Sequence, residues 1–380
     1  MLWLFRSLYV MALYTAMIIY TGLRLYAFIR YYIPSVKKQF FWLVHLLLSY
    51  SFFFFAIIRL DRFGFIFLFD SISLVLFLRN RKKQEKERTD RQSIVRLKVG
   101  IALIFTILIL VYGSFHARDI KAAHYNLNFA GFAPGSLKVV LVSDLHIGPT
   151  VGKKWVSRIV DRINEAEPDM VCMAGDIFDS GITGMADPEG IAFELRRIKA
   201  PLGVYACPGN HDVNRRTRSL EEINDFLSAA GILLLADESV IAPYSVNKPD
   251  IVVTGRRDAR PIGMPNERLS VHELHNNDLK NDVPYSIKPF LILLDHQPIE
   301  LPETAKAGFD LALCGHTHKG QLFPGTIFTY FIFKKTGATH YGHWQKGNTR
   351  AIISSGAGIW GPPLRFGTNS EIAIIDIQFK

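Results

Sequence analysis

Asp144 and His146 stand two residues apart, directly after Val139-Val140-Leu141-Val142-Ser143. That run of β-branched and apolar residues predicts a buried strand. In extended backbone, side chains at i and i+2 leave on the same side, so a carboxylate and an imidazole are delivered together at the strand's end. The pattern recurs downstream: Met170–Ala174 runs into Gly175-Asp176, and Gly203–Cys207 into Gly209-Asn210-His211-Asp212. Phe290–Leu294 runs into Asp295-His296, and Leu311–Cys314 into Gly315-His316-Thr317-His318. Asp144, His146, Asp176, Asn210, His296, His316 and His318 make seven donors, too many for one ion. Oxygen and imidazole donors without thiolate suit Mn first, with Fe or Zn as alternatives. With two ions, one carboxylate should bridge them. Metals ~3.5–4 Å apart can clamp an in-line phosphoryl displacement and acidify a shared water. Attack by that bridging hydroxide would need no Ser or Cys nucleophile.

The strands that must position these groups alternate with helices. Lys153–Ala166, Pro188–Lys199, Arg218–Ala229 and a segment near 300–307 carry helical patterns. Short strands are expected at 232–235, 240–243 and 251–254, and closing strands at 350–354 and 371–377, while 257–288 reads as irregular. Alternating β and α followed by extra strands predicts an α/β fold, a four-layer α-β-β-α sandwich of two stacked sheets flanked by helices. Cys172, Cys207 and Cys314 all precede ligand positions inside apolar strands, where they read as buried small hydrophobes.

The first 113 residues are of another kind. Apolar stretches at 8–23, 40–58, 63–78 and 99–112 predict about four transmembrane helices, the third interrupted by Asp70. Residues 1–113 hold 16 Lys/Arg and 5 Asp/Glu, whereas residues 114–380 hold 28 and 29. The basic excess therefore belongs to the membrane region, and no nucleic-acid partner is expected. Nine Lys/Arg in the basic loop 79–98 and four in 24–39, against two in 59–62, put both basic loops in the cytoplasm. Residues 114–380 then lie on the extracytoplasmic side of a multi-pass cell-membrane protein, with 114–135 as a linker and 136–380 as the catalytic domain.

The motifs Asp144-Leu145-His146, Gly175-Asp176, Gly209-Asn210-His211-Asp212, Asp295-His296 and Gly315-His316-Thr317-His318, in that order, resemble the calcineurin-like metallophosphoesterases. Asp295-His296-Gln297-Pro298, Gly320-Gln321, Ser355–Gly358 and Pro363–Gly367 are similar to its membrane-associated bacterial phosphodiesterase branch. That branch often has Gly where this chain has Lys319, a difference at the site rim. The resemblance implies that Asp144, His146 and His318 hold one divalent ion and Asn210, His296 and His316 the second, with Asp176 as bridge. It implies that Asn210 also lies against substrate, and that His211 binds the phosphate and protonates the leaving oxygen, with Asp212 orienting it. Arg365 is assigned to a substrate phosphate through its guanidinium fork, with a purely structural role as the alternative.

A membrane-anchored phosphodiesterase acting on a phosphate ester, lipid-linked esters included, is the expectation. The alternatives are a UDP-diacylglucosamine-type pyrophosphatase or other phospholipid-headgroup hydrolase, and a non-catalytic membrane sensor or scaffold that kept the fold. The apolar stretch Phe323–Phe333 reads either as core or as a greasy lip beside the site that handles headgroups or touches the lipid bilayer.

Overall fold

The computed structural model describes residues 88–182, 185–212, 220–242, 250–259, 268–280 and 288–380. The expected spans at 8–23, 40–58 and 63–78, with Asp70 and the first part of the basic loop, lie outside the described residues. The rest of that loop is not a loop. Residues 88–98 are the opening turns of helix α1, Arg88–Ala117, which continues through the fourth apolar stretch. Arg, Gln, Leu and Lys are good helix formers and no Gly or Pro interrupts them before Gly100. The uninterrupted apolar part, Val99–Tyr112, rises only ~21 Å at 1.5 Å per residue. Among the described residues no helix is long and apolar enough to cross a membrane.

The segment expected as a linker also carries structure. Strand β1, Ile120–Phe129, alternates Tyr125, Leu127 and Phe129 with His124, Asn126 and Asn128. It lies parallel to β12, Ser370–Phe379, in register from Ile120↔Ser370 to Phe129↔Phe379. Strand β12 in turn runs antiparallel to β2, Gly135–Val142. The last strand is thus inserted between the first two. Parallel pairing continues through β3, Met170–Ala174, β4, Val204–Cys207, and β5, Leu233–Leu234, which completes the first sheet in the order β1-β12-β2-β3-β4-β5. The second sheet contains β6, Glu238–Ile241, β7, Ile251–Gly255, β8, Phe290–Leu294, β9, Leu311–Cys314, β10, Gly342–Lys346, and β11, Thr349–Ile353. Its order is β10-β11-β9-β8-β7-β6, with β11, β9, β8 and β7 mutually parallel.

Alternation along the strands builds the layers. Val139 and Leu141 of β2 face β8 and β9 of the second sheet in a core with Phe290, Ile292, Leu311 and Leu313. Val140 and Val142 face the opposite way, against Trp155, Val156, Ile159 and Ile163 of α2, Lys153–Glu165. Helices α3, Pro188–Leu195, and α4, Glu221–Ala229, complete that outer layer. On the other side, Leu291 and Leu293 pack against Val271 and Leu274 of α5, Val271–Lys280, and Leu301 of α6, Leu301–Ala307, covers Ala312 and Ala351. Each buried Leu or Ile contributes roughly 1.5–3 kcal/mol. This is the expected sandwich of two sheets between helices. Helix α5 occupies a region read as irregular from the sequence, and Cys172, Cys207 and Cys314 are buried free thiols.

The stretch after the last ligands is not core. It forms a 3-10 turn, His318–Gly320, and then helix α7, Gly325–Lys334, in which only Gly325 and Phe333 are buried.

Candidate metal centre

The loops beyond the parallel strands of both sheets converge on one place. Strand β2 ends at Val142, and Asp144 and His146 do not continue it. Their φ angles are 52° and 48°, the left-handed region, so the pair is presented by a turn and not by the extended backbone expected from their spacing. Asp176, His316 and His318 are left-handed as well, at 52°, 72° and 47°. For residues other than Gly that conformation costs on the order of 1–2 kcal/mol each. Such strain persists only where the surroundings over-determine it, which is typical of functional sites. Here the surroundings are other site loops: the Asp144 amide donates to the Gly175 carbonyl at 3.0 Å and the His146 amide to the Asp176 carbonyl at 3.0 Å. Two glycines are required by contact. At Gly175, with φ of 75°, a Cβ would sit 2.8 Å from Cβ of His296, and at Gly209 a Cβ would overlap the Asp176 carboxylate.

Six of the seven expected ligands fall into two clusters whose donor atoms lie within 4.8 Å of one another, Asp144 with His146 and His318, and Asp176 with His296 and His316. In the first, Nε2 of His146 faces Nε2 of His318 at 3.1 Å, and the latter is 3.5 Å from Oδ1 of Asp144. In the second, Nδ1 of His316 faces Nε2 of His296 at 3.2 Å. Oδ2 of Asp176 lies 3.2 Å from Nε2 of His296 and 3.7 Å from Nε2 of His146, so one carboxylate oxygen reaches both clusters. The seventh, Asn210, sits between two residues that touch Asp176: Gly209 abuts its carboxylate and the His211 amide donates to its Oδ1 at 2.8 Å.

The site fits two cations. Oδ1 of Asn210 and Nδ1 of His318 are buried without a hydrogen-bond partner, an uncommon state for buried polar atoms. Nδ1 of His296 is 2.8 Å from the Ala174 carbonyl, which makes it the donor and turns Nε2 toward Asp176. Burial acts to lower this ring's pKa, but the Asp176 carboxylate overrides it and raises it well above the ordinary imidazole value, so Nε2 holds a proton that a cation would displace. Burial and the neighbouring His296 push His316 down to about 3, and burial and His146 push His318 well below the ordinary imidazole value. Both rings therefore present neutral lone pairs, as ligation requires. Burial acts to raise Asp176, but His296 overrides it and holds the carboxyl below the usual range, while burial raises Asp144. Pairs of inward-facing lone pairs and carboxylates are what a divalent cation satisfies.

Two expected roles are corrected. Arg365 does not face substrate. Its side chain is fully buried, and its guanidinium donates to the carbonyls of Ser355 at 2.7 Å, Gly358 at 2.9 Å and Gly356 at 3.1 Å. It ties together the loop that lies against Asp144, and burial pushes its pKa down to about 10. Asp212 does not orient His211 either. Its carboxylate accepts the Phe178 amide at 2.8 Å and the Gly209 amide at 2.7 Å, and burial raises its pKa to about 7. The ring of His211 is held instead through Nδ1, 2.9 Å from the Asp179 carbonyl. Asp179 is the residue that sequence reasoning missed. Its carboxylate is 3.4 Å from Nδ1 of His146, and with His146 and His211 it forms a third donor cluster. Its signal was a second carboxylate three residues after Asp176.

Residues 137–320 match the family described as Calcineurin-like phosphoesterase. A transmembrane protein with metallophosphoesterase domain from Danio rerio is 30% identical over 83% of this chain and 70% of its own length. An uncharacterized metallophosphoesterase of Helicobacter pylori is 32% identical over 64% of this chain, which spans 60% of that relative. Another, from Campylobacter jejuni, is 26% identical over 82% of this chain and 76% of its own. With this match, and with its strand-end donors gathered into two clusters that Asp176 reaches, the chain belongs to the calcineurin-like phosphoesterase family of metal-dependent phosphoester hydrolases.

Proposed function

We propose that this chain is a membrane-anchored phosphohydrolase working with two divalent cations, Mn2+ foremost, and acting on phosphodiesters. The observation that carries the reading is the position of Oδ2 of Asp176 between the two donor clusters, 3.2 Å from His296 and 3.7 Å from His146. Asp144, His146 and His318 would hold one cation with Asp176, and Asn210, His296 and His316 the other. Bound there, two divalent cations supply charge for the phosphoryl oxygens and acidify a water. The protein's own thiols are no substitute nucleophile, since Cys172, Cys207 and Cys314 are buried and burial raises each thiol's pKa.

His211 has the remaining chemical role. With Nδ1 engaged by the Asp179 carbonyl, Nε2 is left to meet the phosphate and to pass a proton to the leaving oxygen. Trp360, 6.4 Å away ring to ring, and His146, 5.0 Å away, bracket that imidazole and limit its swing. Lys319 lies beside the last ligand, its ammonium 3.8 Å from the Tyr341 ring, so the rim carries a cation where the resembling branch has Gly.

Membrane anchoring is supported by α1, where Ile104, Leu108, Val111 and Phe115 form part of an exposed apolar surface next to a basic segment. Lys/Arg asymmetry favours an extracytoplasmic catalytic domain. The test is metal content and turnover of the purified full chain. We expect two Mn2+ per chain and EDTA-sensitive cleavage of bis(p-nitrophenyl) phosphate, with Asp176→Asn losing at least one ion and nearly all turnover. One ion or none in the Mn2+-loaded protein, or turnover that survives chelation, would refute the reading.

A further inference from the structure

Helix α7 is an anomaly for a surface element. Four Phe/Tyr and two Ile occupy ten residues, and its outward residues are apolar: Ile327, Phe328, Tyr330, Phe331 and Ile332, preceded by Phe323. Phe328 is 65% exposed, Ile332 60% and Phe331 56%. A patch of that density has a partner. Charge and connectivity indicate which. From 311 to 370 the chain has no acidic residue and six Lys/Arg, and Lys334 and Lys335 stand exposed at the helix's C-terminal end. Aromatic and aliphatic side chains over most of a short helix, with terminal lysines that can reach water, are the composition of helices lying in the bilayer interface.

The patch is also continuous with the exposed apolar surface of α1. The Phe323 amide donates to the Phe366 carbonyl at 2.8 Å, and the Phe366 ring meets Tyr112 of α1 edge to face at 6.1 Å. The Arg365 amide donates to the Gly113 carbonyl at 3.0 Å. The loop 364–367 thus joins the C-terminal end of α1 to the start of α7. On its other side α7 adjoins the 3-10 turn that carries His318: the Thr326 hydroxyl donates to the Lys319 carbonyl at 2.9 Å, one residue past His318.

We propose that α7 is a membrane-docking helix: it lies in the interface of an anionic bilayer alongside the end of α1 and sets the mouth of the metal centre at the level of the lipid headgroups. The occupant of the exposed face is the bilayer itself, and the phosphates presented to the centre are those in the headgroup plane. The docking stands without the phosphohydrolase reading, but what the centre does with a headgroup phosphate rests on it.

The test uses the full chain in vesicles of phosphatidylethanolamine and phosphatidylglycerol. Phe328→Cys carries an environment-sensitive fluorophore, the native thiols being buried, and Lys154→Cys on α2 is the control. The probe at 328 should be quenched several-fold more by lipids spin-labelled high on the acyl chain than the probe at 154, and correspondingly less by aqueous iodide. Iodide quenching equal to that at 154 would overturn the proposal. Shielding from both quenchers would also overturn it, since another part of the chain or another protein would then cover α7. Cleavage of bis(p-nitrophenyl) phosphate on the same preparation separates the two readings. Lipid quenching without turnover leaves docking and refutes the hydrolase, and turnover with an iodide-exposed probe does the reverse. The double variant F328D/F331D should keep turnover of this soluble ester and lose association of α7 with lipid, read by a probe at Ile332→Cys.

Discussion

Replacing Arg365 distinguishes a structural arginine from a substrate-binding one. In Arg365→Met the apolar stem is kept and the fork is lost. Two buried carbonyls, of Ser355 and Gly358, then lose their donor, while that of Gly356 keeps the Glu371 amide at 2.9 Å. A buried group left unpaired costs about 1–3 kcal/mol. The lower end applies here, because the variant also escapes the cost of burying a cation, visible in the lowered pKa of the guanidinium. Two carbonyls at the lower end give about 2 kcal/mol, and for a domain of this size roughly 2 °C per kcal/mol gives a Tm lower by about 4 °C. Gly356 lies against Cβ of Asp144, so the loosened loop should also weaken the metal cluster that Asp144 belongs to. The assay is thermal unfolding of the metal-loaded protein in detergent, with metal titration and steady-state kinetics at saturating Mn2+. We expect a lower Tm, weaker Mn2+ binding and an unchanged KM. A variant with wild-type Tm and metal affinity but a KM raised tenfold or more would refute the structural role and return Arg365 to the substrate.

Other outcomes follow from the same geometry. His211→Ala should keep both metals and lose rate by ~10²–10⁴-fold, the usual contribution of a positioned acid. The loss should shrink for p-nitrophenolate leaving groups, and equal losses for activated and unactivated esters would point to phosphate binding alone. Asp179→Ala should weaken Mn2+ binding by about 10–100-fold, as loss of a ligand's supporting partner does, because its carboxylate is 3.4 Å from Nδ1 of His146. Isothermal titration showing wild-type affinity would exclude that support. Metal affinity should fall on acidification, because His296 and His146, whose pKa values burial acts to lower but the neighbouring carboxylates raise, must give up their protons to ligate. Mn2+ binding indifferent to pH between 5 and 8 would contradict ligation by these two rings. Alkaline phosphatase fused after Ser114 should be active and a cytoplasm-dependent reporter dark at that junction, with the reverse pattern placing the catalytic domain inside the cell.

The sequence by itself marked the residues that the fold gathers into two donor clusters. Strands β3, β4, β8 and β9 are short apolar runs with both faces buried, and their ends, like that of β2, are marked by an abrupt switch to Asp, Asn or His, often beside Gly. That local signal survives without tertiary information, and it also gave the two-sheet architecture, because strand and helix periods alternate legibly from 138 to 314. It did not determine how the ligands are presented. Asp144 and His146 are two residues apart in a left-handed turn held by Gly175 and Asp176, and no spacing rule contains that contact.

Only the tertiary structure decided the supporting roles, for one physical reason: the partners are backbone groups, which carry no sequence identity. The fork of Arg365 meets carbonyls, the carboxylate of Asp212 meets amides, and His211 is steered by the carbonyl of Asp179. An arginine that binds phosphate and one that binds carbonyls look the same in a sequence. Residues 114–135 likewise read as a linker because the partner of β1, β12, lies some 250 residues away. Helix α7 shows the limit most directly. Its run of Phe and Ile is equally suited to a core or to a lipid-facing surface, and only the packing that leaves it outside the sandwich decides between them.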